Sequence, residues 1–235
     1  MNRVAARLAG IRSRIDAACA RAGRDPATVR LVGASKLQPV ASLRAAYDAG
    51  LRRFGENRVQ EALGKATELP ADVEWHLLGP LQSNKVRRAL ELFTVFHAVD
   101  RPKIARALDA EAAARGRRVS GLLEVNLGGE ATKHGFEPAT LAAEAAPLAA
   151  LEHLAIVGLM AIPPLASDPA AARADFRRLR ELALELDRRP EWHGRLVELS
   201  MGMSDDFEIA IEEGATYVRI GTELFGARRA ELSPG

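Results

Sequence analysis

Sulfur is almost missing from this chain. Cys19 is the only cysteine among 235 residues, so neither an internal disulfide nor a cysteine-held zinc cluster can form. A lone thiol on the apolar side of a helical stretch reads as core filler in a reducing, cytoplasmic compartment. Aromatic residues make up only 5% of the chain, and Trp75 and Trp192 show no stacking pattern for nucleic acid. That removes the stacking platforms of single-stranded nucleic-acid binders. Basic and acidic residues nearly cancel, at a formal +2 with both signs interspersed, so neither nucleic acid nor an anionic membrane is an expected partner. No run approaches the roughly 18 apolar residues that a membrane helix requires. The amino-terminal stretch is interrupted by Arg3, Arg7, Arg12 and Arg14, so it lacks the apolar segment of a secretory signal. Val4, Leu8, Ile11 and Ile15 form a helical stripe there instead.

Lysine is scarce as well. Of 33 basic residues only Lys36, Lys65, Lys85, Lys103 and Lys133 are lysines. Arginine keeps its proton and cannot form an imine with an aldehyde, which singles out any lysine placed for chemistry. Lys36 ends the run Arg30-Leu31-Val32-Gly33-Ala34-Ser35, just before Gln38-Pro39 opens a helical pattern. The end of a buried strand suits nucleophilic or Schiff-base chemistry, although a lysine there can also simply snorkel to water.

What is abundant is alternation. Apolar, β-branched runs alternate with amphipathic helical patterns along the chain, the signature of βα units on a parallel sheet. The pattern predicts strands near residues 30–35, 53–57, 74–80, 95–100, 120–127, 156–162, 196–201 and 217–221. Helices are expected near 39–50, 57–68, 83–92, 102–115, 138–149, 169–188 and 205–213. With the leading helix, these elements match an α/β fold, a single (β/α)8 TIM barrel over residues 1–235. An open doubly wound sheet is the alternative, but no Gly-x-Gly-x-x-Gly follows the first strand.

Strands of a parallel sheet are buried on both faces, so their polar residues are informative. Here these are Lys36, Glu56-Asn57, His76, Asp100, Glu124, Asn126, Ser200 and Arg219, mostly toward the strand ends where barrel active sites form. Ser200-Met201-Gly202-Met203-Ser204-Asp205-Asp206 runs from strand seven into a helix that Ser204 or Asp205 can cap. Val218-Arg219-Ile220-Gly221-Thr222 ends strand eight in a short helical turn. Loops after strands seven and eight form the usual phosphate site of a barrel, with free amides and the Ser200 and Thr222 hydroxyls to hold a dianion. A lysine on strand one would face that cradle across the closing seam. A ligand with both an aldehyde and a phosphate satisfies both ends, and pyridoxal 5′-phosphate is such a ligand. Arg219 could then reach its ring, and Asn57 could touch the ring from the other side. The competing structural roles are an Arg219–Glu124 ion pair and a helix cap at Asn57.

Gly-Ala-Ser-Lys at 33–36, Phe-Gly-Glu-Asn at 54–57, His-Leu-Leu-Gly-Pro-Leu-Gln-Ser-Asn-Lys at 76–85 and Ser-Met-Gly-Met-Ser-Asp-Asp at 200–206 resemble the YggS/PROSC pyridoxal phosphate homeostasis proteins. Gly-Leu-Met at 158–160 and Val-Arg-Ile-Gly-Thr at 218–222 extend the resemblance over the chain. It implies a barrel like the N-terminal domain of alanine racemase (fold-type III), with Lys36 bonded to the cofactor. It further implies Ser200, Gly221 and Thr222 at the phosphate and Arg219 opposite the pyridine nitrogen. The loop at 128–135 varies from the family pattern, and no role is carried over to Lys133.

A permanently charged arginine at the ring nitrogen makes the ring a poor electron sink. In the related racemases a second acid/base comes from a C-terminal domain, and this chain is expected to end before one. The expectation is therefore a cytoplasmic, monomeric carrier that takes part in cofactor homeostasis. It would hold pyridoxal 5′-phosphate through Lys36 and release it to free amino acids or apo-enzymes without catalytic turnover. The alternatives are a low-activity amino-acid racemase, with His76 or Tyr47 as second base, and a Schiff-base aldolase for a phosphorylated sugar.

Overall fold

A computed structural model describes residues 3–128, 134–163 and 168–226; Lys133 lies outside them. Eight parallel strands follow one another in sequence order, and the last pairs with the first, closing a barrel. They are β1 (Arg30–Ala34), β2 (Arg53–Glu56), β3 (Glu74–Leu77), β4 (Val95–Val99), β5 (Val119–Glu124), β6 (Leu154–Met160), β7 (Glu198–Ser200) and β8 (Tyr217–Ile220). Helix α1 (Arg3–Arg21) leads. Between strands run α2 (Val40–Asp48), α3 (Val59–Ala66), α4 (Val86–Ala89), α5 (Pro102–Ala114), α6 (Leu141–Ala145), α7 (Pro169–Asp187) and α8 (Phe207–Glu212). The turn α9 (Thr222–Phe225) follows β8. The barrel expected from the alternation is the one found.

Periodicity explains the outer layer. The stripe Val4, Leu8, Ile11 and Ile15 is buried along α1, and Cys19 lies fully buried on the same face, as a core filler should. Phe176, Leu179, Ala183 and Leu186 do the same in α7. Two expected helices are broken. Ser83–Lys85 forms a 3-10 turn before α4, and Ala146–Ala150 forms another after α6. Pro147 lies in the first turn of the latter, where its missing N–H cannot continue an α-helical ladder. Among the described residues no helix is long and apolar enough to cross a membrane.

One irregularity matters for the lumen. Between Phe96 and Val99 the register of β4 against β5 shifts, so His97 and Ala98 stand opposite Leu122 alone. Phe96 and Val99 both stay in the apolar layer under the helices, while Ala98 joins the smaller cluster inside the barrel. A bulge of this kind re-aims a side chain. Here it lets His97 face the lumen without costing the outer layer an apolar residue.

Candidate functional site

At the carboxyl-terminal rim of the barrel lies a cavity of about 310 Å³, within the size range of small-molecule sites. Lys36, Gln38 and Asn57 line one side, and Ser204, Asp205, Gly221 and Thr222 the other, with Arg219 between them. Ile162 and Met203, 46% and 39% exposed, leave an apolar rim at the mouth.

Lys36 sits at the corner of a turn closed by the Gln38 N–H donating to the Ser35 carbonyl at 3.0 Å. The next residue, Leu37, has φ 60°, the only positive φ outside glycine among the described residues. Such a conformation costs on the order of 1–3 kcal/mol and persists only where its surroundings impose it. The imposing groups are charged. The Leu37 N–H donates to Glu61 Oε1 at 2.6 Å. Lys65 Nζ, from α3, donates to the Ser35 carbonyl, to Glu56 Oε1 and to Glu61 Oε1 at 2.8, 2.7 and 2.6 Å. The Ser35 hydroxyl donates to the same Glu56 oxygen at 2.7 Å. Burial pushes the Glu56 carboxyl up, against the hydrogen bonds from Lys65 and Ser35. Two lysines thus divide the labour: Lys65 is spent holding the turn on which Lys36 is mounted.

Arg219 is 4% exposed, yet among the described residues no ion pair joins it to Glu124. Its guanidinium donates to Ser200 Oγ at 2.5 Å and to the Ala161 carbonyl at 2.9 Å. Burial lowers its pKa to about 10, with Asp206 and Glu124 acting against that from further away, so it stays charged at neutral pH. A buried cation balanced by neutral acceptors at the edge of a cavity is poised for an electron-rich ligand atom.

The seven–eight end is built from backbone. Gly202 has φ 89°, and a Cβ there would lie 2.5 Å from that of Ala210. Only glycine lets the loop fold back on α8. A Cβ on Gly221 would lie 3.1 Å from the Ala34 carbonyl, so the chain passes close to the end of β1. The backbone N–H groups of Ser204, Asp205 and Thr222 find no acceptor among the described residues. With the Ser204 and Thr222 hydroxyls they make a cluster of donors fit for an oxyanion.

All the residues expected to bind a cofactor line this cavity except Ser200. Its hydroxyl is fully buried behind the lining, held between Arg219 and His97 Nδ1, the latter at 2.7 Å. The hydroxyl that this loop places at the cavity is Ser204, which accepts from the Glu223 N–H at 3.4 Å. It does not cap α8, and neither does Asp205; the N-cap of that helix is Asp206. Asn57 does not cap α3 either, because the N-cap is Arg58, and Asn57 faces the cavity. His76 is buried in the lumen and Tyr47 donates to Asp72 beneath Arg52, so neither lines the cavity as a second base would. Met201 packs in the outer apolar layer, and Met203 is the methionine at the site.

Sequence reasoning missed the Ser35–Glu56–Lys65–Glu61 clamp and missed His97. His97 had a signal, since it is a polar residue inside an apolar strand run. The clamp had a weaker one in a carboxylate, Glu56, inside a strand.

Comparison with known proteins came out in one direction. Residues 7–229 match the family model described as alanine racemase, N-terminal domain. A pyridoxal phosphate homeostasis protein of Pseudomonas aeruginosa is 50% identical over 230 residues, 97% of each chain. The protein of that name from Escherichia coli is 40% identical over 97% of this chain and 98% of its own. Among solved structures, PipY of Synechococcus elongatus with PLP bound superposes with a TM-score of 0.83 at 44% identity, covering 95% of this chain and 100% of its own. Alanine racemase of Clostridium difficile shares the fold at a TM-score of 0.68 and 14% identity, with 52% of its chain covered.

Proposed function

This chain belongs to the pyridoxal phosphate homeostasis protein family and carries an alanine racemase N-terminal domain, and from that premise we propose that it holds pyridoxal 5′-phosphate as a Schiff base of Lys36, for storage and transfer rather than turnover. The observation that carries the reading is the cavity itself: an amine at one side, a buried guanidinium between, and a cluster of amides and hydroxyls opposite. Relatives with that name and the PLP-bound PipY structure support it.

When bound, the cofactor supplies an aldehyde that condenses with an amine, releasing water, and an aromatic ring. The protein's residues do the rest. The turn clamped by Lys65 keeps Lys36 at the edge of the cavity. Ser204, Gly221 and Thr222 take the phosphate. Asn57 lies on the Lys36 side, where it can contact the ring substituents. Arg219, still charged at neutral pH, would lie toward the ring nitrogen and disfavour its protonation, which would keep carbanion chemistry weak. Neither His76 nor Tyr47 is placed to serve as a second acid/base, which weighs against racemisation. In this reading the protein is a single-domain, cytoplasmic monomer whose cargo leaves when a free amino acid or an acceptor apo-enzyme competes for the aldehyde.

Borohydride reduction of the pyridoxal-phosphate-loaded protein, followed by peptide mass mapping, tests this. A pyridoxyl group on the peptide carrying Lys36 is expected, and its appearance on another lysine would overturn the assignment. Interconversion of D- and L-amino acids well above the free-cofactor rate, lost in Lys36→Ala, would favour the racemase instead.

A further inference from the structure

The lumen holds a chain of polar side chains that the binding site does not use. Arg219 Nη1 donates to Ser200 Oγ, which lies 2.7 Å from His97 Nδ1. His97 Nε2 lies 2.9 Å from His76 Nδ1. His76 Nε2 is buried without a hydrogen-bond partner, 4.0 Å from Glu74 Oε2. Glu74 begins β3 and lines a cleft of about 320 Å³ with Arg12, Arg52 and Arg53, at the opposite end of the barrel. The polar chain therefore joins the two ends of the molecule through the middle of the sheet.

Its hydrogens can be arranged in two ways. In one, Ser200 accepts from Arg219 and donates to His97 Nδ1. His97 Nε2–H then donates to His76 Nδ1, and His76 Nε2–H faces the Glu74 carboxylate. Every proton has an acceptor or a negative charge ahead of it. In the other, His76 Nδ1–H donates to His97, and His97 Nδ1–H donates to Ser200. That leaves the Ser200 proton with no acceptor among the described residues and turns a nitrogen lone pair toward a carboxylate. Each arrangement leaves one buried proton without a hydrogen-bond acceptor, His76 Nε2–H in the first and the Ser200 hydroxyl in the second. The first prevails because its unpaired N–H points at a carboxylate, where the second points a lone pair.

We propose that Arg219, Ser200, His97 and His76 form a one-way hydrogen-bond wire whose direction the facing Glu74 carboxylate sets, with His97 as the positioning residue that fixes how Arg219 presents its charge to the cavity. The Ser200 proton is committed to His97, so the hydroxyl offers Arg219 only lone pairs and orients the guanidinium. Burial holds both imidazoles low; Glu74 acts against it at His76, while Arg53 and Arg30 act with it, and at His97 the neighbouring His76, Arg219 and Arg30 all act in the same sense. Tyr217 packs its ring edge-on against both imidazoles and fixes their planes. The inference rests on the cofactor reading only for its effect on the ligand; the direction of the wire belongs to the free protein.

Long-range proton–nitrogen NMR of the histidine side chains reads that direction without any cofactor. His76 and His97 are both expected to carry their proton on Nε2 alone, and a proton on Nδ1 of His97 overturns the proposal. Glu74 is half-exposed and outside the cavity, so Glu74→Ala serves even if replacements at His97 fail to fold. It should allow a His97 Nδ1–H signal to appear, and unchanged tautomers would remove Glu74 as the group that sets the direction. In the loaded protein, His97→Phe should shift the absorption band of the bound cofactor and weaken binding about 2- to 10-fold, with the adduct still on Lys36. An unshifted band would deny the positioning role. A wild-type protein that takes up no pyridoxal phosphate would sink the functional reading, and the tautomers would still decide the wire.

Discussion

The two faces of the same eight strands obey opposite rules. On the outer face Phe54, Trp75, Phe96, Leu123, Leu159 and Val218 lie in one apolar layer with the helices, none more than 4% exposed. Inside the barrel a small cluster of Val32, Leu78, Leu122, Met160 and Tyr217 shares the space with His76, His97, Ser200 and Arg219, all of them buried. The outer layer stabilises the fold in proportion to the area it removes from water. The inner polar groups are tolerated because each makes at least one hydrogen bond, although His76 Nε2 has no partner of its own, and they give the molecule a chemistry. Stability and function are thus separated across the thickness of one sheet.

The sharpest way to break that separation is to damage the outer face alone. Phe96→Ala should cost about 3–5 kcal/mol in urea unfolding while leaving Lys36 the modified residue in borohydride mapping. A displaced adduct would mean that the two faces are coupled. At the rim, Lys65→Met leaves a fully buried Glu56 with the Ser35 hydroxyl but no counter-charge and should cost about 3 kcal/mol. Adding Glu56→Leu should recover much of that loss in the same assay. If the double variant is no better than the single, the clamp is not held by charge compensation.

These targets differ in how plainly the sequence announced them. The outer face was legible because its rule is periodic: stripes such as Val4-Leu8-Ile11-Ile15 locate both helix and core. That Lys36, Asn57, Arg219, Gly221 and Thr222 line the cavity was legible because each is a polar or small residue where a dry strand should continue. His97 carried the same mark and was passed over; what alternation hides is the bulge beyond it, which turns Ala98 inward and keeps Val99 in the outer layer. Ser200 was expected to line the cavity and Ser204 does, for a related reason. Both hydroxyls flank the same glycine, and only the path of the loop at Gly202 decides which one reaches the cavity. The clamp joins β2 to α3 and the turn after β1, a pairing in space that spacing along the chain does not encode.

The inner face has a pH signature that the outer face lacks. Burial holds the His76 and His97 imidazoles below the ordinary 6.5 in the fold. As pH falls through that value, the unfolded chain takes up protons first. The histidine contribution is therefore complete above pH 6.5 and is lost between there and the lower folded values. Each histidine adds up to about 1.4 kcal/mol per pH unit in that window. Buried carboxyls such as Glu124, raised by burial, slope the opposite way, so a difference between two proteins is the clean measurement. His97→Asn should flatten the fall in urea midpoint between pH 6.5 and 5.5, and an unchanged slope would count against a neutral buried His97.

The smallest expected effect separates the two ends of the cavity. Thr222→Ala should weaken pyridoxal phosphate binding by about 1 kcal/mol, roughly fivefold, without altering the absorption band. Arg219→Glu should alter the band more than the affinity for the phosphate. Equal losses of affinity in both variants, with the same spectrum, would erase the distinction between a phosphate end and a ring end.

A crystal structure of the protein soaked with pyridoxal 5′-phosphate tests the central claim most directly. The account predicts continuous density from Lys36 Nζ to the cofactor, its ring nitrogen against Arg219, and its phosphate at Ser204, Gly221 and Thr222. An unmodified Lys36, or a phosphate bound away from the seam between β8 and β1, would contradict it.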